Sequence, residues 1–235
     1  ILEQSDKETL AALSAFTLPE QFEVIIVPQG SPQTKPRALN YALQFAYGEL
    51  LTIYDAEDAP SPRQLRHAAE SFRAAPSSLV CLQARLAIYN ANENWLTRQF
   101  ALEYAMLFGE ILPTLASLDL PLPLGGTSNH FRVAALRKAG GWDAFNVTED
   151  ADLGIRLARL GCRTAVLDSD TFEEACITQR AWNRQRARWL KGFLQTWLVH
   201  MRRPVQCWRQ LGTGGFWVLQ TMTLGVFLSA LIHPL

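Results

Sequence analysis

After Arg209 the chain carries no Asp, Glu, Lys or Arg as far as its last residue, Leu235, and residues 216–232 are strongly apolar. An uncharged run of that length can span a bilayer, which takes about 20 residues in a helix that satisfies its own backbone polar groups. Gln220, Thr221 and Thr223 are its polar interruptions. Arg202, Arg203 and Arg209 precede it, and the positive-inside rule then places the preceding body in the cytoplasm at an inner membrane. The chain opens at Ile1 with neither an initiator Met nor a signal peptide, and it ends inside the apolar run. The expectation is a piece of a longer, multi-pass protein.

Charge divides the chain as sharply as hydropathy does. Lys and Arg number 22 and Asp and Glu 22, yet residues 179–235 hold eight cations and no acid, leaving a body of 14 cations and 22 acids with net charge −8. An acidic body with a basic tail points either to a divalent cation in the body or to an anionic surface beside the tail. The cations run straight into the apolar stretch, so nucleic acid is not an expected partner. Cys81, Cys162, Cys176 and Cys207 lack paired or metal-ligand spacing, which argues against a disulfide framework and a zinc site.

The body alternates strand-like and helix-like segments. Residues 22–27, 50–54, 79–89 and 163–167 read as strands, and 5–16, 35–43, 62–74 and 133–139 as helices. Residues 95–115 carry a helical apolar stripe that suits either a core or a membrane interface. Lys35 and Arg37 flank Pro36 at a helix start, where phosphate can bind or a basic first turn can simply be solvated. Asp55-Ala56-Glu57-Asp58 follows a strand, the place where open α/β sheets bind ligands, and its carboxylates suit Mg2+ or Mn2+. Gly125-Gly126-Thr127-Ser128 is a loop that lets backbone approach a ligand, or only a turn. Thr148-Glu149-Asp150-Ala151-Asp152 opens a helix: Thr148 can cap it and the acids suit its dipole, while one acid can also serve as a general base.

Taken in order, these segments resemble the membrane-bound, processive branch of the family-2 glycosyltransferases, which includes cellulose, hyaluronan and mannan synthases, with wording closest to bacterial exopolysaccharide synthases. Asp55-Ala56-Glu57-Asp58 resembles the D-x-D element, Gly126-Thr127-Ser128 the G-T-S loop, Thr148-Glu149-Asp150 the T-E-D element, and Gln185-x-x-Arg188-Trp189 the Q-x-x-R-W element. The resemblance implies an α/β, GT-A-type nucleotide-sugar-binding domain, a mixed sheet flanked by helices, over residues 1–178. A basic interface-helix region at 179–209 and a transmembrane helix at 210–235 would follow. The family's first strand, with its base-contacting Asp, is expected upstream of Ile1.

The resemblance also implies roles. Asp55, Glu57 and Asp58 would meet the metal, with Glu57 standing where the family has Asp. Lys35, Asn40, Asp55, Gln185, Arg188 and Trp189 would bind the UDP- or GDP-sugar. Asp150 would be the base, and Gly126, Thr127, Ser128, Thr148, Glu149 and Trp189 would line the polysaccharide acceptor. The lipid bilayer and export or accessory subunits are the expected partners. Competing readings are a non-processive transferase acting on a lipid carrier and a non-catalytic membrane scaffold.

Overall fold

The computed structural model describes residues 1–232. Two short strands, β1 (Leu2–Glu3) and β2 (Ile26–Val27), form a parallel pair of their own, with helix α1 (Lys7–Ser14) between them. Helix α2 (Lys35–Leu43) follows, with Pro36 in its first turn, where a missing N–H costs nothing. The main sheet contains β3 (Leu50–Ile53), β4 (Ala59–Pro60), β5 (Leu79–Ile88), β6 (Asn129–Arg132) and β7 (Arg163–Glu173) in the spatial order β3-β6-β5-β7-β4. Strands β5 and β7 run parallel and the other pairs antiparallel, so the sheet is mixed, as expected.

Helices cover both faces of this sheet. On one side α3 (Gln64–Ala74) brings Ala68 and Phe72 onto Leu82, Ala84 and Leu167. On the other lie α4 (Trp95–Met106), a π-helical turn (Leu107–Ile111), α5 (Leu112–Ser117), α6 (Val133–Lys138) and α7 (Glu149–Arg159). They bury Phe108, Leu112, Leu136, Leu153 and Leu157 against Leu86 and Phe131. Each such side chain contributes about 1.5–3 kcal/mol by leaving water. Asn94 and Thr97 close a reciprocal capping box at the start of α4. Leu96, Phe100, Phe108 and Leu112 are buried in the protein, as the core reading of residues 95–115 expects, while Trp95, Leu102 and Met106 of the same segment stay exposed.

Helix α7 owes its position to one glycine. A β-carbon on Gly154 would collide with the backbone carbonyl of Leu122, so the absent side chain lets α7 press against the chain leading to residues 125–128. Beyond the sheet come α8 (Gln179–His200), α9 (Pro204–Leu219), a π-helical stretch (Gln220–Gly225) and α10 (Val226–Ile232). Pro204–Ile232 is long and apolar enough to cross a membrane, with mean hydropathy 1.7 and 22% of its apolar window buried. Its backbone breaks at Gly212 (φ 68°, ψ 176°), a conformation open to glycine. The expected transmembrane segment 210–235 therefore includes a bend, and its residues 233–235 lie outside the described residues.

Three expectations change. The strand expected at 22–27 shrinks to Ile26–Val27, because it pairs with the two-residue β1, and Val24 and Ile26 remain exposed. The strand expected at 163–167 runs on to Glu173 by pairing with β5 across a bulge at Ala84/Arg85. Strand β6 was not expected; its sequence Asn-His-Phe-Arg lacks β-rich alternation, and its pairing with both β3 and β5 makes it a strand.

Candidate active site

Three distant segments meet beyond the end of β3. Asp58 turns its Oδ2 back to accept from the Asp55 backbone N–H (2.7 Å) and from the Thr127 hydroxyl. Lys35, at the start of α2, forms an ion pair with Asp55 and donates to the Gly126 carbonyl (2.8 Å). The loop of carboxylates, the Gly-Thr-Ser loop and the α2 N-terminus are thus tied together by charge-assisted bonds, stronger than neutral ones. Burial raises the Asp58 carboxyl; the bonds from Thr127 and Asp55 N–H oppose this, and the charges of Asp55 and Glu57 add to it. Glu57 itself is exposed.

Asp150 stands in the first turn of α7. Its Oδ1 accepts from Ala151 N–H (2.8 Å), and its Oδ2 faces Gly126, where a β-carbon would lie 3.3 Å away. Burial, joined by the charge of Glu149, pushes its carboxyl up to about 7, while Lys35 pulls it down. Burial raises Glu149 as well, with Lys35 and Arg188 opposing. Such a value suits a group that accepts a proton near neutrality. Thr148 occupies the cap position without making a capping bond, a correction to the expected cap. Asn146 Oδ1 accepts from Thr148 N–H (3.0 Å), and the Thr148 hydroxyl lies 3.4 Å from the Thr196 hydroxyl of α8.

Sequence reasoning missed Glu173. It ends β7 with its Oε1 buried and without a hydrogen-bond partner, while its Oε2 accepts from the Tyr104 hydroxyl (3.4 Å). Burial and then the charges of Asp58 and Asp55 push its carboxyl up to about 7. Asp58 Oδ1 is likewise buried and unpartnered. Two orphaned oxygens among acids that raise one another fit a hard divalent cation. Among the described residues no three His, Cys, Asp or Glu form a ready cage. A cation here would therefore take oxygens from donor phosphates as well, as Mg2+ usually does.

Helix α8 carries Gln185, Arg188 and Trp189. Gln185 Oε1 accepts from the Cys176 thiol (3.6 Å). Trp189 packs 6.0 Å from Phe100, centroid to centroid. The Arg186 guanidinium lies among Phe100 (5.1 Å), Trp182 (5.1 Å) and Trp189 (5.0 Å), held by an ion pair to Glu103. These cation–π contacts lock α8 onto α4. Arg188 remains exposed, with its charge felt at Glu149.

Residues 50–235 match the family model described as glycosyl transferase family group 2. The chain belongs to this family. It is 30% identical over 186 residues to a beta-monoglucosyldiacylglycerol synthase of Synechocystis sp., covering 77% of this chain and 38% of that protein. It is 31% identical over 145 residues to glucomannan 4-beta-mannosyltransferase 1 of Oryza sativa subsp. japonica, covering 61% of this chain and 28% of the relative. The chain thus spans less than two fifths of the length of these relatives. A mannosyltransferase from Pyrobaculum calidifontis, solved with GDP-Man and Mn2+, superposes with a TM-score of 0.61 at 18% identity over 99% of this chain and 64% of that one. The fold is GT-A-like.

Two positions expected to meet ligand in this member of the family bond to other parts of the chain. Asn40 donates to the Trp142 carbonyl (2.7 Å) and accepts from Trp142 N–H (2.9 Å), so its amide clamps the Gly140-Gly141-Trp142 turn. Ser128 is fully buried and donates to the Thr171 hydroxyl (2.7 Å) of β7, so it faces the sheet and not an acceptor. Thr127 holds Asp58 and lies beneath the cleft. Lys35, Asp55, Asp58, Gly126, Glu149 and Asp150 come together in the structure.

Proposed function

We propose that this chain is the cytoplasmic nucleotide-sugar domain of an inverting, metal-dependent glycosyltransferase that extends a β-linked polysaccharide at a membrane. The observation that carries the reading is Asp150: a carboxyl held at about 7, facing Gly126 and within the field of Lys35, which itself grips Asp55. A UDP- or GDP-sugar would lie between the strand-end acids and Arg188. Asp55, Glu57 and Asp58, with the unpartnered Glu173 Oε1 as a further oxygen, would hold a Mg2+ or Mn2+ ion, which neutralises the departing diphosphate when bound.

The acceptor hydroxyl attacks the anomeric carbon as that carbon's bond to the diphosphate oxygen breaks. Asp150 takes the hydroxyl proton, and the electron pair of the broken bond leaves on the diphosphate. One displacement without a protein nucleophile inverts the centre, giving a β-linkage from an α-linked donor. Arg188 opposes the charge of the leaving group, and Trp189 offers an apolar face to the acceptor's terminal sugar. The glucomannan mannosyltransferase relative and the Gln185-Arg188-Trp189 element support a polymer acceptor. The Arg-flanked apolar helix supports a membrane setting, which export or accessory subunits would share.

A second reading, single transfer to a lipid acceptor, is favoured by the glucosyldiacylglycerol synthase relative, which matches 77% of the chain. Sugar-nucleotide turnover by the membrane-embedded protein with Mg2+ or Mn2+ tests both. Turnover that Asp150→Asn abolishes supports the catalytic reading, and full activity in that variant refutes it. Long products support polymerisation; glycolipid bearing a single added sugar supports the second reading.

A further inference from the structure

Four residues of α8 recur at intervals of four: Arg188, Gly192, Thr196 and His200. That spacing puts them on one face of the helix. The last three are the only buried residues of α8, an unusual set for a core-facing stripe because none is a hydrocarbon. Each meets the segment that carries Glu149 and Asp150. Gly192 lies so close to Thr148 that a β-carbon would stand 2.6 Å from its hydroxyl oxygen. The Thr196 hydroxyl accepts from the Asn146 side-chain amide (2.8 Å). His200 Nε2 lies 3.0 Å from Asp152 Oδ1, and Arg159 approaches His200 Nδ1 at 2.8 Å.

Arginine can only donate, so His200 Nδ1 accepts, and Nε2–H donates to Asp152. Asp152 is 2% exposed and its second oxygen accepts from Arg156 (2.6 Å). Burial alone would raise its carboxyl, but His200 and Arg156 hold it below the ordinary value. The remaining end of Arg159 donates to Gln210 of α9 (2.8 Å). An apolar stripe would tolerate sliding of one helix along the other. A stripe of directional bonds fixes a single register, because a shifted helix leaves buried polar groups unpaired, at roughly 1–3 kcal/mol each.

We propose that Thr196 and His200 are positioning residues: by bonding to Asn146 and Asp152 they set the register of α8 on α7 and so hold Arg188 near Glu149 at the donor diphosphate. The proposal rests on the reading of Arg188 as a donor-binding group, and its test separates the two.

Binding of UDP and of GDP, each with saturating Mg2+, is measured on the membrane protein in nanodiscs. The variants are Thr196→Val, Thr196→Ser and His200→Gln, each alone and combined with Arg188→Ala. Thr196→Val keeps the volume and loses the hydroxyl; Thr196→Ser restores it. Thr196→Val is expected to weaken nucleotide binding roughly three- to tenfold when Arg188 is present and less than about twofold when it is absent, as for residues acting through one another. Thr196→Ser is expected to bind like the wild type, and His200→Gln, which keeps a donor toward Asp152, to lose less than Thr196→Val. Equal losses with and without Arg188, or no loss from Thr196→Val, overturn the proposal while leaving the donor-site reading in place. Unchanged binding in Arg188→Ala alone, or no binding of either nucleotide by the wild type, overturns both.

Discussion

Gly126 and Asp150 face each other across the cleft so closely that a β-carbon on the glycine would stand 3.3 Å from Asp150 Oδ2. The Gly-Thr-Ser loop and the T-E-D helix start are therefore two walls of one site, and the glycine sets the gap between them. Gly126→Ala is expected to push the carboxylate aside by a few tenths of an ångström. Because catalytic geometry tolerates little displacement, kcat should fall roughly ten- to a hundredfold while the fold persists. Steady-state kinetics beside a thermal melt checks this. A variant as active as the wild type would detach Gly126 from the base.

The carboxyl of Asp150 accepts a proton only when ionised, so kcat/KM should rise with pH through about 7. Lys35 favours the ionised form. Its removal in Lys35→Met is expected to move the rising limb to higher pH, and a limb that stays put or moves to lower pH would contradict this. Asp150→Asn should remove the limb and lower the rate by roughly 10²–10⁴.

Stability should respond to pH in the opposite sense. Asp150 and Glu173 both stand near 7 in the folded protein, well above their ordinary range. Folding therefore takes up protons between about 4 and 7. The stabilisation is fully present below the unfolded values and is lost as pH rises through the folded ones. Asp152 is held low, so its contribution is lost only at more acidic pH, as its carboxylate becomes protonated. The ligand-free protein is expected to melt highest in mild acid, and Glu173→Gln with Asp150→Asn should flatten the limb between about pH 4 and 7. Melting temperature across pH is the measurement.

These contrasts mark what was legible in the chain. Lys35, Asp55 and Asp150 were readable because each sits at an element end with a chemical reason to be there: a helix start, a strand end, a first turn. Asn40 and Ser128 look identical to ligand-binding residues in a one-dimensional reading. Only the fold brings Trp142 to the one and Thr171 to the other. Glu173 was invisible for the converse reason. In Phe172-Glu173-Glu174 it reads as part of an acidic turn, and its burial arises from the pairing of β7 with the far end of β5, some eighty residues earlier in the chain. Strand β6 was missed on the same grounds, since two neighbours and not its own residues make it a strand. Local chemistry was legible, and long-range satisfaction of polar groups was not.

Two glycines with opposite surroundings give the last prediction. Gly154 sits in α7 against the Leu122 carbonyl, with the Leu124 side chain 3.1 Å from a built β-carbon. Backbone cannot swing aside as a flexible side chain can, so Gly154→Ala must lift α7 from the chain beside it. The expected cost is about 1–3 kcal/mol, the usual penalty of overpacking, even though alanine favours helix. Gly109, in the π-helical turn after α4, has nothing within 4 Å of its β-position. Gly109→Ala is expected to be neutral or to stabilise by up to about 1 kcal/mol, because it reduces the freedom of the unfolded chain without meeting a neighbour. Thermal or denaturant unfolding of the two variants side by side decides the matter. Gly154→Ala should also lose activity beyond its loss of stability, because α7 carries Asp150. If it melts like the wild type, close packing of α7 on Leu122 is not what holds the base in place.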